Sequence, residues 1–290
     1  KMVRKTKRVL IICIILFLSV LLIELAAAAD VAYIYKSKPK IDDNILNVFS
    51  EMNLTVDLIN EKNLPKSFSN YKFLFIGDER FRNKISANDY PSVIFNSYFG
   101  EEWGLTDHDG ISNLASTSPL QVIKNDNIIQ VYTKAKFNNN PISIPYYYLG
   151  SDDKASGMQK IATPYMGDNY DFGDVISYAN AGTKLDNGKT IKGNICFYGI
   201  LNTDYWTPKA KQLFKDCVNI VGTTCFEDSD CPAGTTGEKY CKNNNTYQNI
   251  LNFQCNNPGT AKSECIQKTT SQLIEECKYG CKDGECLPQC

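Results

Sequence analysis

A chain of 290 residues holds one medium α/β domain with a small module, or two domains of ordinary size. Its 43% hydrophobic and 22% charged residues exclude a disordered, collagen-like or coiled-coil chain. With 31 basic against 32 acidic residues there is no broad cationic field for phosphates, so no nucleic-acid partner is expected, and the single histidine, His108, excludes any site needing two imidazoles.

Lys1, Arg4, Lys5, Lys7 and Arg8 precede an apolar run from Val9 to Ile23, then Glu24 and the small residues Ala26 to Ala29. Basic, apolar, small is the order of a secretory signal, expected over residues 1–28 with cleavage near Ala28 or Ala29. The apolar run is shorter than the ~20 residues of a comfortable membrane helix. An uncleaved anchor is the alternative and the only expected membrane contact; both readings export the rest.

From Asp30 the pattern alternates between strand and helix. Val31 to Tyr35 reads as a buried strand, broken at Lys36-Ser37-Lys38-Pro39. Ile41, Ile45, Val48, Phe49 and Met52 recur at helical spacing, with Asp42 and Asp43 in the first turn. Leu54, Val56 and Leu58 alternate as a strand does, completing a β-α-β unit. Lys72 to Gly77 and Ser92 to Asn96 read as two strands buried on both faces, which favours a parallel sheet. Beyond Gly100 the strand candidates are Asn127 to Tyr132, Ile144 to Leu149, Val175 to Tyr178 and Asn194 to Ile200, with an Asp-Asn-Gly turn before the last, so the second half is expected to be partly antiparallel.

Thr207 as N-cap, Pro208 at the first helical position and a stripe of Ala210, Leu213, Phe214, Cys217, Val218 and Val221 predict a helix that stops at Gly222. Cys196 and Cys217 would meet where this helix packs back on the sheet, as a disulfide or as two buried thiols. The expected boundaries are thus 29–222 for the α/β domain and 223–290 for a cysteine-rich module. In that module Cys225, Cys231, Cys241, Cys255, Cys265, Cys277, Cys281 and Cys286 would form four bridges, with connectivity open. Zinc is the rival reading, disfavoured because the module has no C-x2-C pair and no histidine. Cys290 is left over, suggesting a longer natural chain or pairing elsewhere. Cysteine crowding places the chain where disulfides persist, and sequons at Asn53 and Asn244 are compatible with that.

The order of elements from Val31 to Val221, with KFLFIGDERF, DYPSVIFNSYFG and NICFYGILNTDYWTPKAKQLFKDCVNIV, resembles the class I glutamine-amidotransferase-like superfamily, particularly its trehalose-utilisation-like branch. The resemblance implies an α/β fold: a flavodoxin-like three-layer sandwich with a mostly parallel sheet and helices on both faces. CFEDSDC and CKYGCKDGEC resemble cysteine-rich modules of exported archaeal surface proteins. Amidotransferases carry a nucleophilic cysteine at a G-x-C-x-G elbow; the matching stretch here is Asn96-Ser97-Tyr98-Phe99-Gly100, which puts Tyr98 at the nucleophile position. A phenol, ordinarily of pKa ~10, is a weak nucleophile at neutral pH, so glutaminase chemistry is not expected.

Open α/β sheets bind ligands outside the carboxyl ends of their strands. Those ends place Lys36, Asp78, Glu79, Arg80, Asn96, Tyr98 and Asn202 around an expected cleft for a glycan, a peptide or a surface protein. The enzymatic alternative is a metal-assisted hydrolase using Asp107, His108 and Asp109, a string that also reads as a polar turn. A third reading is a structural spacer of the cell envelope. Asp168, Asp171 and Asp174 allow a calcium loop but lack its grammar, and both nucleotide-cradle motifs are missing, so no metal or cofactor is expected. Tyr146-Tyr147-Tyr148, Tyr165, Tyr170, Phe172, Tyr205 and Trp206 are candidates for stacking on a ligand or for covering a core edge.

Overall fold

The computed structural model describes residues 29–107, 111–116, 119–137, 140–165, 167, 171–225 and 227–288. In chain order the first elements are β1 (Val31–Tyr35), α1 (Asp43–Glu51), β2 (Val56–Asn60), β3 (Phe73–Ile76), β4 (Ser92–Ile94), β5 (Ile111–Ser116), β6 (Leu120–Val122) and β7 (Asn127–Ile129). They are followed by β8 (Ala135–Phe137), β9 (Asn140–Ile142), β10 (Ile144–Gly150), β11 (Gln159–Pro164), β12 (Gly173–Asp174), β13 (Ile176–Ala179), β14 (Ile195–Tyr198) and α2 (Pro208–Gly222).

Nine strands form one sheet in the order β2-β1-β3-β4-β14-β13-β11-β6-β7. Pairing is parallel from β2 to β14 and antiparallel from β14 to β7, so the sheet is mixed rather than mostly parallel. Three further strands, β12-β10-β5, make a separate small sheet, and β8-β9 a hairpin.

Strand alternation divides the core in two. Val31, Tyr33, Phe73, Phe75, Val93, Phe95 and Tyr198 point to one face, where α1 delivers Ile45, Val48 and Phe49 and α2 delivers Ala210, Phe214, Cys217, Val218 and Val221. Phe214 is the hub, with ring contacts to Phe49, Phe75, Phe95, Tyr198 and Trp206. Both helices start as their sequences require: Asp42 accepts the N–H groups of Asn44 and Ile45, and Thr207 that of Ala210 before Pro208. Cys196 and Cys217 form a fully buried disulfide that ties α2 to β14.

The opposite face differs from the expected helical layer. Ala32, Ile34, Leu74, Ile76, Ile94 and Phe197 are covered there by Phe68, Phe81, Ile85, Trp103, Leu105, Leu185 and Ile191, which come from loops and turns. Among the described residues both α-helices pack on the first face. The segments after β3 and β4, GDERFRNKISANDYP and NSYFGEEWGLTD, carry single apolar anchors between polar and glycine residues, without the repeating stripe that would nucleate a helix.

The small sheet joins the large one at a close approach. Tyr147 N–H donates to the carbonyl of Gly199, and a Cβ at residue 199 would stand 2.0 Å from the Tyr147 oxygen, so only glycine fits.

After α2 the chain forms β15 (Thr235–Lys242), β16 (Asn245–Asn256) and β17 (Glu264–Glu275) in one antiparallel sheet, with a short hairpin of β18 (Cys281–Lys282) and β19 (Glu285–Cys286). All eight cysteines from Cys225 to Cys286 are paired: Cys225–Cys255, Cys231–Cys265, Cys241–Cys281 and Cys277–Cys286. Cys290 lies outside the described residues. The module docks on the α/β body through Ala261, whose N–H donates to Asn219 Oδ1 at 3.1 Å, and Lys262, 3.1 Å from Asp30. The two sequon asparagines, Asn53 and Asn244, are exposed in left-handed turns, whereas Thr246 is buried beside the Cys277 and Cys281 sulfurs. Five disulfides fit an extracellular or otherwise oxidising setting, and among the described residues no helix is long and apolar enough to cross a membrane. The N-terminal residues 1–28 lie outside the described part.

Candidate functional site

The parallel register aligns Ile34 with Ile76 and Ile76 with Ile94, so β1, β3 and β4 run out side by side. Six of the seven residues expected at the cleft meet there, and three of them brace the edge instead of facing a ligand. Glu79 is buried; it accepts the Lys36 N–H at 2.8 Å, the Ser37 N–H at 3.1 Å and the Ser37 hydroxyl at 2.7 Å. Asn96 donates to the carbonyls of Gly77 and Glu79, and its Oδ1 accepts the Tyr98 N–H at 2.9 Å. Lys36 donates its ammonium to the Arg80 carbonyl, leaving the Arg80 side chain exposed. Asn202 stands apart: its contacts are to Pro145 and the Tyr132 hydroxyl.

Asp78, Ser97, Tyr98 and Tyr147 remain as the polar group of this edge. Asp78 Oδ1 accepts both the N–H of Ser97, at 2.9 Å, and its hydroxyl, at 2.8 Å. Tyr98 is 52% exposed, which leaves a ring face open beside them. Burial raises the Tyr147 hydroxyl above the usual phenol range, helped by the negative charge of Asp78, while a bond to Ser97 acts the other way. The phenol is therefore neutral at physiological pH and still a donor. Sequence reading placed Tyr147 only within an aromatic run; strand alternation turns it away from Tyr146 and Tyr148, toward the opposite core. Of the other aromatic candidates, Tyr146 is fully buried, Trp206 donates to the Ile200 carbonyl and packs on Phe214, and Tyr170 lies outside the described residues.

Burial also raises the Asp78 carboxyl, against the lowering pull of the Ser97 bonds and Lys40. The folded protein thus holds this proton more tightly than the unfolded chain. Asp78 has no net effect below the unfolded value of ~3.9 and destabilises increasingly as pH rises through its raised folded value. Asp78→Asn keeps an oxygen acceptor for Ser97, so its thermal midpoint should exceed the parent's at pH 7, with the gain vanishing near pH 3. A gain unchanged at pH 3 would contradict this account.

At Tyr98, where the sequence resemblance would place a nucleophile, β4 leads into turns rather than a helix, and the residue keeps an ordinary negative φ. No strained elbow presents this side chain. Asp107 is exposed and its N–H binds the Asp153 carbonyl at 2.9 Å; His108 and Asp109 lie outside the described residues. Asp168 does as well, while Asp171 and Asp174 pair with Lys160 and Lys154, so lysine ammonium groups neutralise the two described carboxylates of the stretch that could have formed a calcium loop. Among the described residues the one grouping with metal-ligand spacing is Cys225, Cys231 and Cys265, whose sulfurs are all spent in disulfides.

Among the described residues, three concavities lie elsewhere, and none of these three is lined by any of the seven expected residues. Two of about 400 Å³ share Lys84, Ile85, Trp103 and Lys189. A groove of about 1070 Å³ runs between β6, β7 and α2, past Lys124, Asn127, Tyr178 and Lys209. No family model matches this chain, and no curated protein matches it.

Proposed function

We propose that this is an exported surface protein whose α/β body holds a glycan, without transforming it, at the carboxyl edge of β3 and β4. The observation that carries the reading is the Tyr98 ring, half exposed beside the Asp78–Ser97 pair and the Tyr147 hydroxyl. An open aromatic face stacks on a sugar ring, and a carboxylate with two neighbouring hydroxyls exchanges hydrogen bonds with sugar hydroxyls. The carboxylate at the centre favours a neutral sugar over an acidic one.

On this reading the body is an amidotransferase-like, flavodoxin-like scaffold that has lost its nucleophile. Support comes from the parallel half, β2-β1-β3-β4-β14, which repeats the 2-1-3-4-5 order of doubly wound sheets, and from Tyr98 in place of a cysteine. The disulfide-rich module supports the exported setting.

Binding of the purified protein to an array of neutral and acidic oligosaccharides tests the proposal. Wild type should retain a neutral oligosaccharide, and Tyr98→Ala should weaken it about 10-fold, the scale of one lost aromatic stacking contact at ~1.4 kcal/mol. Equal retention by the variant would remove the site from this edge; binding only to peptides would replace the ligand class.

A further inference from the structure

The module's three-stranded sheet has two edges, and they are built differently. β15 is interrupted by a register shift between Thr236 and Lys239, and the β18–β19 hairpin lies against it, with Gly284 donating to Cys241 Sγ. β17 has no such protection. Its 12 residues pair only with β16 among the described residues, the ladder keeps register from Glu264 to Leu273, and every side chain from Gln267 to Glu275 is exposed. Between Glu264 and Glu275 the segment CIQKTTSQLI contains neither proline nor glycine and one charge, Lys268. An unbroken, nearly neutral edge of this length offers a row of backbone donors and acceptors to another strand.

We propose that two copies of this chain pair through β17, antiparallel about a two-fold axis at Thr270, joining two three-stranded sheets into one of six strands. The axis stands perpendicular to the sheet, so residues facing each other must lie on the same side of the strand. Pairing about Thr270 sets Thr269 against Ser271, Lys268 against Gln272 and Gln267 against Leu273, and brings Ile266, 41% exposed, beside Ile274, 40% exposed. Pairing about Lys268 would oppose two ammonium groups. Pairing about Thr269 would set Ile266 against Gln272 and Ile274 against Glu264, losing the isoleucine pair.

Because Thr270 faces its own copy in this register, charge at that position is self-repelling and mutually attractive between opposite variants. Sedimentation velocity should show wild type self-associating with concentration. Thr270→Lys and Thr270→Glu alone should each dissociate at least 10-fold more readily, and their equimolar mixture should recover the dimer. Each variant is first checked for five disulfides by mass, and Thr236→Lys on the other edge should associate like wild type. A monomeric wild type, undiminished association of either single variant, or a mixture that stays monomeric would overturn the proposal. Undiminished association of Thr270→Glu alone is what pairing about Thr269 would give, through Lys268.

Discussion

Replacing Cys225 and Cys255 together by alanine should lower the stability of the C-terminal module by about 3 to 4 kcal/mol, the loop-closure entropy of a span of this length. The bridge closes a separation of 30 residues, and the module has little else to hold it: its buried cluster is Cys225, Cys231 and Cys255 with Phe253 and Cys265 packed around them. Sulfur is the core here, because exposed, polar β15 and β17 side chains leave few apolar groups to bury. The same pair anchors the module to the end of α2, where Thr224 and Cys225 donate N–H groups to Ser263 Oγ. Full reduction should therefore open residues 227–288 to hydrogen exchange and proteolysis while β1, β3 and α2 stay protected. Those elements have their own aromatic core, and the fully buried Cys196–Cys217 bridge should be the last to yield. Uniform loss of protection across the chain, or none in the module, would contradict this division.

The second large effect is expected at Asp174, whose side chain is wholly buried, with Oδ2 2.7 Å from Lys154 Nζ and Oδ1 3.7 Å from Lys160 Nζ. Burial raises its carboxyl and the two lysines oppose that rise. Asp174 sits on β12, opposite Leu149 of β10, at the seam between the small sheet and β11. Asp174→Ala would strand the Lys154 ammonium in a largely dry site, at a cost of about 3 to 5 kcal/mol, or a drop in thermal midpoint on the order of 10 °C. Combining Asp174→Leu with Lys154→Met should recover most of the loss, because the penalty lies in an unpaired buried charge rather than in the absence of the pair. A double variant as unstable as the single one would show that the geometry, not the charge, matters.

Much of this was legible where one physical signal dominates. β1 and α2 follow from a buried apolar run and from Thr207-Pro208 with a 3.6-residue stripe, and their observed bounds lie within a residue or two of the expected ones. The same helix packing on the strand before it predicted that Cys196 and Cys217 would meet; that they meet as a disulfide rather than as two thiols is shown by the structure. What was not legible depends on non-local partners. Nothing local in Phe81, Ile85 or Trp103 says that loops, not helices, will cover the second face. The cleft shows the same limit: strand ends located Asp78, Glu79, Asn96 and Tyr98, but which of them face outward is decided by Ser37, Gly77 and Ser97, reached only through the sheet register.

The glycan-holding edge is tested most directly by mapping the nuclear magnetic resonance shifts of the isotopically labelled protein as an array-selected neutral oligosaccharide is added. The expected result is a saturable shift of Ser97, Tyr98 and Tyr147 with the sugar recovered intact. Shifts confined to Asn127, Tyr178 and the groove beside α2, or release of a cleaved product, would contradict it.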